Sequence, residues 1–101
     1  MIGDWALAIA RVLASKANKK SRVTYKQVGQ DIGWGHPEGR GLGNHLYELL
    51  HYCKDNDLPP LTTILVKKGE KRPAPDSMKY ITQALGNIDI EKAQRDVFAF
   101  D

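Results

Sequence analysis

The sequence is poor in cysteine, has no long apolar run and carries little net charge. Its single cysteine, Cys53, excludes an internal disulfide and a zinc site made of four thiolates. The absence of a long apolar run argues against a helix that crosses a bilayer, so we expect no membrane partner. Asp4 stands where a secretory signal would carry basic charge, and we therefore expect a cytoplasmic location.

Ordinary globular composition predicts one domain over residues 1–101. The chain is 42% hydrophobic and 27% charged, which suits one modest core. The formal charge of +3 is unevenly distributed. Seven basic residues face three acidic ones through His45, whereas eight basic face nine acidic from Leu46 onward. The positive field is therefore expected mainly in the N-terminal half.

The segment 23–44, VTYKQVGQDIGWGHPEGRGLGN, has the pattern of a helix-turn-helix, which we place at about 24–55. Thr24 can cap a first helix over 25–32, and Gly33 supplies the left-handed residue that ends it. A glycine- and proline-bearing turn follows, and the second helix is predicted to begin near Glu38. In the DNA-binding version the start of this second helix enters the major groove. Arg40 and Asn44 would then share one face, one turn apart.

Two stretches, VTYKQVGQDIG and GRGLGNHL, carry a resemblance to a known family. They are similar to the DNA-binding domain of the O6-alkylguanine-DNA alkyltransferases and the alkyltransferase-like proteins, over about a quarter of the chain. The resemblance implies that Tyr25 contacts the DNA backbone at the target nucleotide and that Arg40 enters the base stack. The family's Pro-Cys-His-Arg motif is missing, since the comparable segment reads DLPPLTTILVKKG. Thiolate transfer is therefore not expected.

Basic side chains around this unit are expected to contact phosphates. They are Lys19, Lys20, Arg22, Lys26, Lys67, Lys68, Lys71 and Arg72, with Thr24, Tyr25, Arg40, Gly41 and Asn44 completing the predicted DNA-binding set. Gly41 suggests close approach of the chain to another backbone. The alternative for KANKKSR is a solvated loop without a ligand.

A strand and a basic wing are predicted over about 61–72. LTTILVK is rich in β-branched residues, and KKGEKR is a charged turn that contains glycine. A wing of this kind touches phosphates beside a recognition helix. The alternative is an edge strand that lysines protect from aggregation.

Apolar spacing predicts the remaining helices. The first is expected to begin with Asp4 as its cap and to bury Trp5, Ala8, Ile9, Val12 and Leu13. The long helix after Pro37 offers Leu42, Leu46, Leu49, Leu50 and Cys53 as its buried stripe. Two C-terminal helices are predicted over about 77–99, with Asp76 or Ser77 and then Asp89 as caps. Phe98 and Phe100 either pack on the domain or contact a partner or a second copy.

No catalytic, cofactor or metal constellation emerges from the sequence. Three histidines and Cys53 do not reproduce zinc spacing, and GRGLGN lacks the strand and lysine of a phosphate loop. Trp34 is either a core residue or a ring that stacks on a base. We therefore predict a mainly α domain with a small β wing, a winged helix-turn-helix that binds duplex DNA without catalysis. The alternatives are a protein-interaction regulator or inhibitor that uses the aromatic tail, and an accessory domain of a catalytic chain.

Overall fold

Helices enclose a small parallel sheet in this protein, for which a computed structural model describes residues 2–36 and 41–100. In the described part the order is α1 Asp4–Asn18, β1 Val23–Thr24, α2 Tyr25–Ile32, α3 Gly43–Asp55, a 3₁₀ turn Leu61–Ile64, β2 Leu65–Val66, α4 Pro75–Leu85 and α5 Ile90–Ala99. The prediction of a mainly helical domain with a small β element is confirmed.

The main core forms where α1 packs against α3. The stripe predicted for α3 is confirmed, since Leu42, Leu46, Leu49, Leu50 and Cys53 are all buried. The stripe predicted for α1 is only partly right. Its buried line is Ala6, Ile9, Leu13 and Ala17, whereas Trp5 stays 40% exposed. Tertiary packing therefore sets which face of α1 turns inward.

Local signals at helix ends were read correctly for α2 and α5. The Thr24 hydroxyl accepts a hydrogen bond from the amide of Gln27, and the Gln27 side chain accepts one from the Thr24 amide. Gly33 ends α2 in the left-handed region at φ 75°. Asp89 caps α5 by accepting from the amide of Lys92. These caps satisfy amides that have no partner within the helix.

Two other helix starts differ from the prediction. Gly3 rather than Asp4 is the cap of α1, and Asp4 lies in the first turn. There its carboxylate still interacts favourably with the positive end of the helix dipole. Helix α4 begins at Pro75, after Ala74 as the cap, instead of near Ser77. Proline is well suited to this first position because its missing N–H would have no helical partner.

In the described part of the chain, the second helix of the predicted helix-turn-helix begins at Gly43, and Gly41 and Leu42 are not helical. The predicted start near Glu38 lies outside the described residues. Gly41 has φ 88°, a backbone conformation that cannot belong to a right-handed helix. Arg40 lies outside the described residues. The expectation that it lies one helical turn before Asn44 therefore stays a prediction.

The predicted strand over LTTILVK is mostly a 3₁₀ turn. Both the amide and the hydroxyl of Thr63 donate to the carbonyl of Pro60, at 3.1 and 2.8 Å. These local hydrogen bonds of Thr63 compete with the hydrogen bonds that a β-strand would make to its neighbour. Only Leu65 and Val66 are therefore in a strand. They pair in parallel with β1, Val23 opposite Leu65 and Thr24 opposite Val66. The next segment turns back through a backbone bond of 3.4 Å from Lys67 to Arg72.

Candidate nucleic-acid interface

The parallel sheet brings two basic segments to the same edge. Because β1 and β2 run in one direction, the residues that follow them leave the sheet side by side. The first turn of α2 thus lies beside the start of the 67–72 turn. Between them is a shallow cleft of about 460 Å³, which we call the basic cleft, lined by Thr24, Tyr25, Lys26, Gln27, Lys67 and Lys68.

The basic cleft has the electrostatics of an anion-binding surface. Lys26, Lys67 and Lys68 are all exposed, and none of the six lining residues is acidic. The positive end of the α2 dipole points to the same place. The amide of Gln27 is used by the capping box. The amides of Tyr25 and Lys26 also lie in the first turn, where backbone N–H groups have no acceptor within the helix. Phosphate oxygens are the usual ligands of such a helix start.

The other described basic residues of the predicted set do not line the basic cleft: Lys19, Lys20, Arg22, Lys71 and Arg72. Arg22 precedes β1, at the opposite end of that strand from the basic cleft. Its guanidinium donates to Gln94 Oε1 from Nε at 3.2 Å and from Nη2 at 3.0 Å, and lies 5.6 Å from the centre of the Phe98 ring. Lys19 and Lys20 are exposed where α1 ends. The structure therefore brings three of the predicted lysines into one cleft and gives Arg22 partners within the fold.

Gln94 links the 67–72 turn to the segment before β1. Its side chain is 1% exposed, and its amide nitrogen donates to the carbonyls of Thr63 and Lys71, both at 2.8 Å. Its oxygen accepts the Arg22 guanidinium. One buried amide thus ties α5 to the 3₁₀ turn, to the 67–72 turn and to the segment before β1. Sequence reasoning missed it because a polar residue on a helix gives no sign that it faces inward.

A second cleft lies on the other side of Tyr25. It has about 250 Å³, and we call it the tyrosine cleft; it is lined by Tyr25, Gly41, Leu42, Gly43, Leu46, Ala74, Asp76, Ser77 and Tyr80. Two predicted site residues, Tyr25 and Gly41, therefore meet here. Tyr25 lines both clefts, which makes them neighbours on one surface.

The hydroxyl of Tyr25 is buried and makes no hydrogen bond of good geometry to a described residue. Burial raises the pKa of this phenol above its ordinary value of 10.0. The nearby Ser77 hydroxyl and the Ala74 backbone oppose that rise, and the Asp76 carboxylate adds to it. Tyr25 therefore keeps its proton at neutral pH, and its buried hydroxyl lies close to Ser77 and the Ala74 backbone.

Asn44 is exposed on the first turn of α3, where a groove-reading residue would need to be. Tyr47 follows it by three residues, 37% exposed, and the sequence reading overlooked it. Its ring centre is 4.4 Å from that of His51 and 5.1 Å from that of Tyr80, both in edge-on geometry. The helical spacing of Asn44, Tyr47 and His51 could have signalled this face.

The other candidates have structural roles. Trp34 packs against the core with its ring centre 4.9 Å from that of Trp5, in edge-on contact. Cys53 is buried, and burial raises the pKa of its thiol, with the Leu61 backbone opposing the rise. Phe98 packs against the core, whereas Phe100 is 51% exposed. Residues 2–36 and 41–100 contain no group of three or more histidine, cysteine or acidic side chains placed to hold a metal ion.

Comparison with family models, with curated proteins and with solved structures found no match for this chain. Within the described ranges, none of the helices has the length and apolar character needed to cross a membrane.

Proposed function

We propose that this protein is a non-enzymatic DNA-binding module that holds phosphates in the basic cleft. The observation that carries the proposal is the convergence of Lys26, Lys67 and Lys68 at the start of α2, without an acidic residue in the lining. Lys26 and Lys67 are about 40 residues apart in sequence, and the parallel pairing of β1 with β2 brings them together. Charge concentrated in a cleft is what phosphate contact requires.

The resemblance to the alkyltransferase-like domains supports the same function. The threonine-tyrosine pair of that pattern is the pair that caps and begins α2, beside the lysines. In this proposal the ring of Tyr25 lies against the DNA backbone, since its hydroxyl is buried, and α3 enters a groove with Asn44. Arg40, which lies outside the described residues, is proposed as the finger that enters the base stack. The winged helix-turn-helix assignment belongs to this proposal, with the 67–72 turn as the wing.

The test is fluorescence anisotropy of labelled duplex DNA across a salt series. The double variant Lys67→Ala, Lys68→Ala should bind DNA more weakly, and its binding constant should fall less steeply as the salt concentration rises. Each lost phosphate contact lowers the log–log slope by about 0.9, so the loss of two contacts lowers it by about 1.8. Arg40→Ala should weaken binding by about 1–3 kcal/mol if its side chain contacts a base.

A control of equal charge separates the basic cleft from the overall charge. Lys54→Ala with Arg95→Ala removes two exposed positive charges on α3 and α5, away from the basic cleft lining. This variant and the Lys67, Lys68 variant both reduce the formal charge from +3 to +1. Equal salt slopes for the two variants, or no binding by the wild type at low salt, would refute the proposal.

A second candidate function is protein recognition by the surface around Phe100. This side chain is 51% exposed and lines an apolar cavity of about 300 Å³ together with residues of α1, α3 and the segment 58–61. An exposed aromatic beside an apolar cavity is a common anchor point in protein interfaces. Pull-down with wild type and Phe100→Ala distinguishes this function, because a DNA-binding module should be indifferent to that substitution.

A further inference from the structure

We propose that Tyr47 contacts nucleobases, so that the preferred ligand is DNA with an accessible base, single-stranded or bulged, rather than a regular duplex. This inference rests on the proposed function and names the form of DNA that it would select. It starts from the surface that connects the basic cleft to α3.

The surface changes from cationic to aromatic as it passes Tyr25. Three lysines lie on one side, and the tyrosine cleft with Tyr80 lies on the other. Asp76 lines the tyrosine cleft, so a phosphate is disfavoured there by like charge. A strand whose phosphates occupy the basic cleft therefore presents uncharged bases to the surface beyond Tyr25.

Tyr47 extends this aromatic surface onto α3. Its ring contacts Tyr80, which itself lines the tyrosine cleft, and it is also in contact with His51. A Cβ on Gly43 would lie 3.4 Å from the Tyr80 ring, so the first turn of α3 and Tyr80 are closely packed. The Tyr47 ring is therefore held in position before a ligand arrives, and the residue remains 37% exposed. A fixed, exposed ring is what base stacking requires.

A base can stack on Tyr47 only after it leaves its own stack. In a regular duplex both faces of each base are covered, whereas a single strand or a bulge offers a face at little cost. Lysine contacts do not distinguish these ligands, because they neutralise phosphates in all of them. Selectivity for unstacked bases would therefore depend on Tyr47, and overall affinity on the lysines.

The chain supplies a matched control in Tyr52. It lies on the same helix with 39% exposure, close to the 37% of Tyr47. Five residues further on, it points about 140° away around the helix. Tyr47→Leu and Tyr52→Leu each remove one exposed phenol from α3, but only the first removes it from the proposed DNA surface. Tyr47→Phe retains the ring.

Anisotropy is measured with one sequence in three forms: single strand, perfect duplex and duplex with one bulged nucleotide. Wild type and Tyr47→Phe should prefer the single-stranded and bulged forms. Tyr47→Leu should weaken binding to those two forms roughly five-fold or more, and by more than it weakens duplex binding, while leaving the salt slopes unchanged. Tyr52→Leu should match wild type on all three. Crosslinking of wild type to a 5-bromouracil strand, mapped by mass spectrometry, should label Tyr47 or Tyr80 and does not depend on the stability of any variant.

Three outcomes overturn the inference, and they separate it from the proposed function. If Tyr47→Leu binds all three forms as wild type does, or weakens all three equally, Tyr47 does not contact bases. If crosslinks map only to other segments, the same conclusion follows. In these cases the lysine-dependent salt slope still supports a DNA-binding module. If wild type binds none of the three forms, the proposed function and this inference both fail.

Discussion

Replacing Gln94 with leucine should be among the most destabilising single changes in this protein. Leucine retains the volume but removes two hydrogen bonds of 2.8 Å to backbone carbonyls and the acceptor of Arg22. A typical hydrogen bond contributes about 1 kcal/mol net, and an orphaned buried acceptor costs about 1–3 kcal/mol. The carbonyl of Thr63 is such an acceptor, because that residue is 0% exposed. After the apolar gain from leucine, we expect a loss of about 2–4 kcal/mol.

Urea unfolding followed by circular dichroism measures this loss. With slopes of about 1–3 kcal/mol per molar urea, the midpoint should fall by about 1 M or more. Gln94→Glu retains the shape and the acceptor for Arg22 but has no donor for the two carbonyls when ionised, so it should lose at least as much. Arg22→Ala should lose about 1 kcal/mol, the typical net contribution of a hydrogen bond, because Arg22 is an exposed residue. A loss below about 1 kcal/mol for Gln94→Leu would refute the argument that this amide ties the segments together.

Two further predictions concern the cap of α2 and alkaline pH. Thr24→Ala removes the capping box with Gln27 and should cost about 1 kcal/mol by urea unfolding, whereas Thr24→Ser should retain most of it; equal midpoints for the two variants would contradict this. The pKa values of Cys53 and Tyr25 are raised by burial, so the unfolded chain releases their protons first as the pH rises through the ordinary values of 9.0 and 10.0. Their stabilising effect is complete below these values and is lost above them. The urea midpoint should therefore fall from about pH 9 upward, less so in Tyr25→Phe, and a constant midpoint would show that neither group is shifted.

Parts of the fold that depend on neighbouring residues could be predicted from the sequence. The cap by Thr24, the end of α2 at Gly33 and the cap by Asp89 were all correct, because each needs only a side chain and the amides within one turn of it. The buried stripe of α3 was also correct, since five apolar residues at helical spacing leave one possible inward face.

Predictions failed where distant parts of the chain compete with local preference. The β-branched run before Val66 was expected to be a strand, but Thr63 bonds back to Pro60 and only two residues pair with β1. Trp5 was expected inside, but the buried line of α1 is Ala6, Ile9, Leu13 and Ala17. The roles of Arg40 and the identity of the ligand stay predictions.

The sequence by itself determined the helical class, the caps of α2 and α5 and the presence of lysines in two separate segments, because these depend on residue type and short spacing. Only the tertiary structure decided which lysines share a cleft, that Arg22 is held by Gln94, and that Tyr47 and Tyr80 form an aromatic surface beside Tyr25. The physical reason is that these contacts join residues from separate elements. Their geometry follows from the parallel pairing of two short strands and the packing of α3 on α4, neither of which any local sequence pattern encodes.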